Sequence, residues 1–336
     1  MSLPSALHPF RFGDLPPDLV RTVFETSAEA SDHFASSISC LSKEVKLWVE
    51  PILYRHIRIN NPRTLSLLHR TITSGISSKS ASFFRTHARS IYVGNRWIHG
   101  VRQVLDILSA CSNVTRLCTI IVTPLHLDAW RVGKHDAWKG LRPTRISINP
   151  CLFMPTHRHF RFTAGGTGST LTCNLNPLFT NVTHLEISWI LTINVTVWSW
   201  PSLPLLTSLT HLCIAATPGI EPVDCAVRNL REALPWLPPA LVVCVLALPQ
   251  VTGFYYRDDV KQIVLENGWR LDPRVVVAVP NEYYKRELMK GPDGVWIKGE
   301  VVCRWDDERD RPGNEDAFWE DAASMVQRRK DANSRI

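Results

Sequence analysis

A short phrase of alternating polar and apolar residues recurs through the middle of the chain. Its clearest copies run over residues 113–120, 142–148, 181–187 and 208–214, and weaker copies cover 88–93, 241–246 and 275–279. Such alternation is typical of a β-strand with one buried face. The central apolar residue recurs at intervals of 26, 29, 39 and 27 residues, at Ile91, Leu117, Ile146, Leu185 and Leu212. Intervals of this length indicate repeated units of the solenoid kind.

Stretches with helical spacing lie between several of these strands. They cover residues 100–111, 223–234 and 257–267, and each places apolar side chains three or four positions apart. Strand, helix and strand in regular succession predict parallel pairing through right-handed crossovers. We therefore expect residues 60–303 to form an irregular, leucine-rich-repeat-like α/β solenoid. Its parallel strands would lie on the concave side, and residues 149–180 would form an insertion.

The residues before this region predict three helices. Pro17 suits the first turn of a helix, and Leu19, Val23 and Phe24 recur on one face of it. Ser31 and Asp32 form an N-cap pair for a second helix that runs toward Leu41. The third helix is expected over Lys43–Leu53, with Pro51 as a break or kink.

This N-terminal segment resembles an F-box of the fungal type. The resemblance lies in Leu-Pro-Pro-Asp-Leu-Val at 15–20, the apolar helix after it, Leu-Ser-Lys-Glu-Val at 41–45, and Trp48. It covers residues 11–59, and the stretch 31–39 departs from it by being more polar than the family pattern. The fold expected for the whole chain is thus α/β, with a three-helix F-box-like module ahead of the repeats.

The resemblance implies that the module docks a Skp-type linker protein of a cullin-based ubiquitin ligase. It also implies an apolar partner-facing set. The members of that set are Leu15, Pro16, Leu19, Val20 and Val23, with Leu41, Val45 and Trp48 helping to shape it. Some of these residues must instead pack the three helices together, and the sequence does not divide the two roles.

Composition excludes several other classes of protein. The chain has 336 residues, of which 45% are hydrophobic and 21% charged, so it can bury a sizeable core. Its net charge of +7 comes from scattered lysines and arginines, whereas nucleic-acid binders concentrate such charge in a stripe. The nine cysteines include no Cys-x-x-Cys pair, which argues against a zinc ribbon or a disulfide framework. With neither a signal-peptide pattern nor a membrane-span pattern, a cytoplasmic or nuclear location is expected.

Few residues suggest chemistry. The glycine-rich stretch 165–169 lacks the lysine of a phosphate-binding loop. His157 and His159 could hold a metal only with further ligands such as Cys151 and Cys173, and a solvated hairpin explains them better. No catalytic motif of a hydrolase, metalloprotease or dehydrogenase occurs. We expect no enzyme activity, cofactor or metal.

Two more expectations concern the surface and the end of the chain. Among the tryptophans, Trp97, Trp198 and Trp200 are expected to be exposed in loops. Residues 304–336 are rich in charge, which predicts a partly disordered tail containing an amphipathic helix over 315–326.

The sequence thus predicts a non-catalytic adaptor that recruits a substrate to an SCF-type ubiquitin ligase. The F-box-like module would dock the Skp-type linker, and the repeats would hold an unidentified target protein. The alternative is a protein-interaction scaffold of the same fold without ligase docking.

Overall fold

A computed structural model describes residues 15–74, 79–94, 100–119, 137–148, 163–164, 174–175, 177–190, 200–216, 223–248, 272–280, 301–304 and 312–334. The predicted helix over 257–267 lies outside these residues. So do His157, His159, Cys151, Cys173, the 165–169 stretch, Trp97 and Trp198.

Three helices open the described chain, and their bounds follow the sequence signals closely. They are α1 (Pro17–Ala30), α2 (Asp32–Ile38) and α3 (Lys43–Leu53). Ser31 caps α2 by accepting from the Phe34 N–H, and Ser42 caps α3 by accepting from the Val45 N–H at 3.1 Å. Pro51 does not break α3, because it lies in the last turn, where its missing N–H removes only one hydrogen bond.

The three helices enclose a small core of their own. Its buried members come from all three helices and are Ala28, Ala35, Ile38, Val45 and Val49. Phe24 and Trp48 pack at its edge, with their ring centroids 6.4 Å apart. The polar stretch 31–39 therefore still supplies a buried stripe, since Ala35 and Ile38 lie one turn apart on the inner side of α2.

Nine strands form one open sheet in which all eight neighbouring pairs are parallel. The strands are β1 (His56–Ile59), β2 (Ser90–Val93), β3 (Arg116–Thr119), β4 (Arg145–Ile148), β7 (His184–Ile190), β8 (His211–Ala216), β9 (Val243–Ala247), β10 (Val275–Pro280) and β11 (Val301–Arg304). Each pairs with the next in this order. A separate antiparallel pair, β5 (Thr163–Ala164) with β6 (Asn174–Leu175), lies in the predicted insertion. The α/β class and the parallel pairing of the repeated strands are confirmed.

The repeated phrase aligns across the sheet residue by residue. Ile91 pairs with Leu117, Leu117 with Ile146, Ile146 with Leu185 and Leu185 with Leu212. All five side chains are buried on one face of the sheet, which we call the inner face. The spacing of this apolar residue was therefore a sound guide to the register.

Helices and short 3₁₀ turns lie between the strands. The helices are α4 (Pro62–Thr73), α5 (Ala81–His87), α6 (Val101–Ala110), α7 (Ala137–Gly140) and α8 (Val223–Ala233), and the 3₁₀ turns are Pro177–Phe179, Trp200–Leu205 and Leu234–Trp236. Their apolar side chains join the inner face in one continuous core that includes Phe84, Trp138 and Trp200. The sequence predicted α6 and α8, whereas α4 and α5 were not anticipated.

A last helix, α9 (Pro312–Asn333), packs on the opposite face of the sheet, the outer face. Trp319, Ala322, Met325 and Val326 are buried there against apolar residues of β8, β9 and β10. The helix is longer than the predicted 315–326 segment, and the disorder expected after Val326 does not hold for the residues up to Ser334. Burial of its apolar stripe explains why this charged segment is ordered.

The three-helix unit and the sheet meet around the end of α3. The ring of Tyr54 packs edge-on against Phe83 and Phe84 of α5, at centroid distances of 5.7 and 5.2 Å. Glu50 of α3 forms a salt bridge with Lys79 at 2.9 Å, and the Lys79 ammonium lies 5.3 Å from the centre of the Tyr54 ring. Burial opposes the charge of Lys79, but the bond to Glu50 and the nearby Tyr54 raise its pKa overall.

Candidate functional site

Exposed apolar side chains concentrate on the three N-terminal helices. Of the eight large hydrophobic residues that are exposed in the described part of the chain, five belong to this unit: Leu19 (52%), Val23 (45%), Phe34 (49%), Leu41 (65%) and Leu47 (71%). We call these five residues the apolar surface of the module. Leu19 and Val23 lie one turn apart on the same side of α1, and neighbouring apolar side chains that are exposed to water are typical of a contact surface for another protein.

The structure divides the predicted partner-facing set by burial. Leu19, Val23, Leu41 and Pro16 are exposed, and Leu15 and Val20 are half-buried. Val45 and Trp48 instead pack the helices together.

Sequence reasoning missed Phe34 and Leu47. Leu47 follows the buried Val45 by two positions, about 200° around the helix, so it points away from the small core. This spacing was the signal that could have identified it. Phe34 directly precedes the buried Ala35 and is an aromatic residue in an otherwise polar helix.

A second candidate surface lies on the outer face of the sheet. The first residues of four consecutive strands form a row across it: Arg116, Arg145, His184 and His211, each aligned with the next. We call this row the Arg/His row. All four side chains are half-buried. Two guanidinium groups and two imidazoles thus lie side by side along the start of the strands.

The threonine before each member of the Arg/His row joins it to the preceding strand. The hydroxyl groups of Thr115, Thr144, Thr183 and Thr210 donate to the main-chain carbonyls of Arg89, Thr115, Thr144 and Thr183, at 3.1–3.2 Å. Each of these carbonyls also accepts the N–H of that threonine and of the residue after it. The repeated threonine is therefore structural, because it extends the hydrogen-bonded pairing of the strands by one residue.

The same two threonine hydroxyls also lie within hydrogen-bond distance of the neighbouring imidazoles. Thr183 Oγ1 is 2.9 Å from His184 Nδ1, and Thr210 Oγ1 is 2.7 Å from His211 Nδ1. Each of these threonines therefore contacts the histidine ring beside it as well as the preceding strand.

The two rings are stacked beneath α9. Their centroids are 4.1 Å apart with the planes nearly parallel, and the indole of Trp319 meets His184 and His211 edge-on at 5.4 and 5.3 Å. Burial, the neighbouring His211 and Arg145 lower the pKa of His184 to about 3. Burial and Arg145 also lower the pKa of His211. Both rings are therefore neutral at pH 7.

A carboxylate of α9 meets the arginine end of the same row. Asp316 forms an ion pair with Arg145 and lies 4.0 Å from Arg116. The helix α9 therefore contacts the outer face through its own carboxylate (Asp316), its own indole (Trp319) and its buried apolar side chains.

Two buried cysteines of the described residues are unsuited to chemistry. Burial raises the pKa of the Cys111 and Cys244 thiols to about 12, so both are protonated and unreactive at neutral pH. Within the described ranges, His, Cys, Asp and Glu side chains form no group of three or more that could hold a metal ion. The prediction that Trp200 is exposed is wrong, because only 4% of this residue in its 3₁₀ turn is accessible to solvent. Trp236, in contrast, is 40% exposed.

Comparison with known proteins gives no identification. No model of a known protein family matches the sequence, and no curated protein matches it. None of the helices in the described residues combines the length and apolar character needed to cross a bilayer.

Proposed function

We propose that this protein is a non-catalytic adaptor that recruits a target protein to a cullin-based, SCF-type ubiquitin ligase. The module at residues 11–59 would be an F-box that docks a Skp-type linker. The nine-stranded region would be a degenerate leucine-rich-repeat-like solenoid that holds the target. The chain would supply proximity between target and ligase rather than chemistry.

One observation carries this proposal. The three helices have their own small core, yet they leave Leu19, Val23 and Leu41 exposed, and these are residues of the F-box-like motif. Apolar residues that serve packing alone would be expected inside the core. A surface of this kind suits docking of an apolar partner face.

The alternative is an interaction scaffold of the same fold without ligase docking. It is favoured by the short, serine-rich α2, which spans only seven residues and exposes Ser36 and Ser37. In this case the apolar surface of the module would contact some other protein.

Copurification with a coexpressed Skp-type linker separates the two functions. The full chain should copurify with the linker, and Leu19→Asp/Leu41→Asp should abolish this because each change places a charge on the apolar surface. Both residues are exposed, so folding should be unaffected. Leu67→Asp is the matched control, since Leu67 is also an exposed leucine (44%) but lies on α4.

Failure of the folded wild-type chain to copurify would favour the scaffold. Copurification that survives Leu19→Asp/Leu41→Asp would place the linker on a different surface. Circular dichroism of each variant verifies that the comparison is between folded proteins.

A further inference from the structure

The outer face of the sheet has two parts of different chemistry, and α9 lies on both. Across β8, β9 and β10 this face is apolar, with Cys213, Ala215, Val243, Val245 and Val276 in contact with the buried stripe of the helix. At the start of β3, β4, β7 and β8 it presents the Arg/His row. One helix therefore spans an aliphatic region and a basic, aromatic one.

The order of side chains along α9 matches the order of groups on the face. Asp316 meets the arginines, Trp319 meets the stacked histidines, and Met325 and Val326 meet the valines. Positions 316, 319, 322 and 326 follow one stripe of a helix, so a single straight helix makes all of these contacts. Each group along the helix thus meets a group of complementary chemistry on the sheet, as happens when a partner helix binds in a groove.

The apolar residues that α9 covers form a cluster apart from the main core of the sheet. The large cluster on the inner face contains no residue of α9, and the cluster beneath α9 is a separate one. The contacts at the helix N-terminus are also weaker than those farther along, because the Asp316 side chain is 50% exposed and solvent screens such an ion pair. The helix thus packs on the sheet apart from the main core, and its contact with the arginines is more exposed to solvent than its contact with the histidines, where Trp319 is buried.

We infer that the outer face of β3 to β10 is a helix-recognition surface, and that α9 is its intramolecular occupant. The partner it fits is a protein helix that carries a carboxylate, a large aromatic residue three positions later, and small or aliphatic residues on the same stripe. Such a helix would bind by taking the place of α9. That this partner is a target of the ligase rests on the proposed function. The helix-recognition surface itself does not depend on it.

Exchange of the helix can be measured with a peptide of the chain's own residues 312–334. A tethered helix competes at an effective concentration on the order of millimolar, so the labelled peptide should bind the wild-type chain weakly. The full-length variant Asp316→Ala/Trp319→Ala should bind it at least tenfold more tightly, because its own helix competes less well. The same peptide carrying Asp316→Ala and Trp319→Ala should not bind either protein.

The matched control is Glu320→Ala/Ser324→Ala, which changes two exposed residues of the same helix and should bind the peptide as weakly as the wild type. If the folded Asp316→Ala/Trp319→Ala chain shows no gain in peptide binding, the inference is overturned. A gain that is equal in the control would mean nonspecific loosening and would overturn it as well.

Hydrogen exchange of the wild-type chain provides a test that needs no variant. The amides of residues 316–330 should exchange at least tenfold faster than those of Leu185 to Ile187 in β7, because α9 leaves the sheet without global unfolding. Equal protection would identify α9 as a permanent part of the core and overturn the inference. Copurification with the Skp-type linker, measured on the same proteins, reports separately on the proposed function.

Discussion

The threonine that directly precedes each repeated strand does more than favour an extended backbone. Its hydroxyl and two consecutive N–H groups converge on one carbonyl of the preceding strand, as at Thr183 and the Thr144 carbonyl. A carbonyl oxygen has two lone pairs, so the three donors share them. The side chain thereby continues the main-chain pairing at the point where the strand starts.

We predict that Thr183→Val lowers the free energy of unfolding by about 1–2 kcal/mol, because it removes the hydroxyl that contacts both the Thr144 carbonyl and the His184 imidazole. Thr183→Ser, which keeps the hydroxyl, should retain most of the stability. Denaturant unfolding of the two variants measures the difference. Equal losses in both would show that the methyl group, and not the hydroxyl, is the stabilising part.

The same hydroxyl bond could be introduced at the next strand, β9, where no threonine stands before the strand. Val242 occupies the position of the threonine before β9, where its N–H and that of Val243 donate to the Thr210 carbonyl, and its side chain is 38% exposed. Val242→Thr should therefore raise the free energy of unfolding by about 0.5–1 kcal/mol through a new hydroxyl bond to that carbonyl. A thermal melt with an unchanged or lower midpoint would contradict this expectation.

The stacked histidines make stability depend on pH. Their pKa values are lowered, to about 3 for His184, so their neutral state stabilises the fold above the pKa of about 6.5 that histidine has in an unfolded chain. This stabilisation is lost as the pH falls below that value toward the folded-state pKa. Each ring contributes a slope below the limit of about 1.4 kcal/mol per pH unit, because solvent screens half-buried groups.

Denaturant unfolding between pH 7 and pH 5 measures this slope. The unfolding free energy of the wild type should fall as the pH is lowered. His184→Gln/His211→Gln cannot take up a proton, so its profile should be flatter over the same interval. An equally steep profile in this variant would assign the pH dependence to other groups.

At the scale of elements, the junction of α3 with α5 combines a partly buried ion pair with an aromatic cluster. Glu50 and Lys79 are both largely shielded, with side-chain exposures of 12% and 13%, whereas Lys46, the other partner of Glu50, is 51% exposed. Removing one member of a shielded pair leaves an uncompensated charge. The two lysines should therefore differ in their energetic effect.

We predict a coupling of about 1–3 kcal/mol between Glu50 and Lys79 in a double-mutant cycle with Glu50→Ala and Lys79→Ala. The parallel cycle with Lys46→Ala should give less than about 0.5 kcal/mol, as expected for an exposed pair four residues apart on a helix. The free energies come from urea unfolding. Similar coupling in both cycles would show that shielding does not set the strength of these pairs.

The elements that were predictable are those whose signal is local. Ser31, Ser42 and the apolar spacing specify α2 and α3, and the repeated phrase specifies the row from Ile91 to Leu212. The position of α9 could not be derived in this way, because its stripe is narrow and the strands that it covers lie far away in sequence. One signal was present. Residues 243–247 read Val-Cys-Val-Leu-Ala without a polar position, as expected of a parallel strand that is covered on both faces, and β9 is buried on both faces.

The candidate site was predictable only in outline. The F-box-like motif identified Leu19, Val23 and Leu41, which are exposed, but it could not separate them from Val45, which packs inward. That distinction depends on how the three helices cross. The Arg/His row is the fourth residue of each clear copy of the repeated phrase, but the phrase does not indicate that Asp316 and Trp319 lie against it.

At the scale of the whole molecule, the apolar core of the module is separate from that of the sheet. The core of the module shares no residue with the core of the sheet, and the described contacts between the two units centre on Tyr54, Glu50 and Lys79. Separate cores predict separate cooperative units of unfolding. The module could then lose its structure while the sheet keeps its own.

We predict that Ile38→Asp unfolds α1, α2 and α3, because it places a charge in a core of five buried residues. Hydrogen exchange should show at least tenfold faster exchange in these helices, with no change at Leu185 to Ile187 of β7. Ser37→Asp, at an exposed position on the same helix, is the control. Simultaneous loss of protection in the sheet would show that the chain unfolds as one unit.

The pairing of each strand with the one before it, including the threonine hydrogen bond, also affects which sequence changes the protein can tolerate during evolution. From Leu117 to Ile146 the chain runs 29 residues, and from Ile146 to Leu185 it runs 39, yet both pairs align in the same register. The intervening length therefore has no influence on how the strands meet. Insertions and deletions between strands are tolerated by this construction, so the surface loops can diversify, and whole strand units can be gained or lost, without a new fold having to arise.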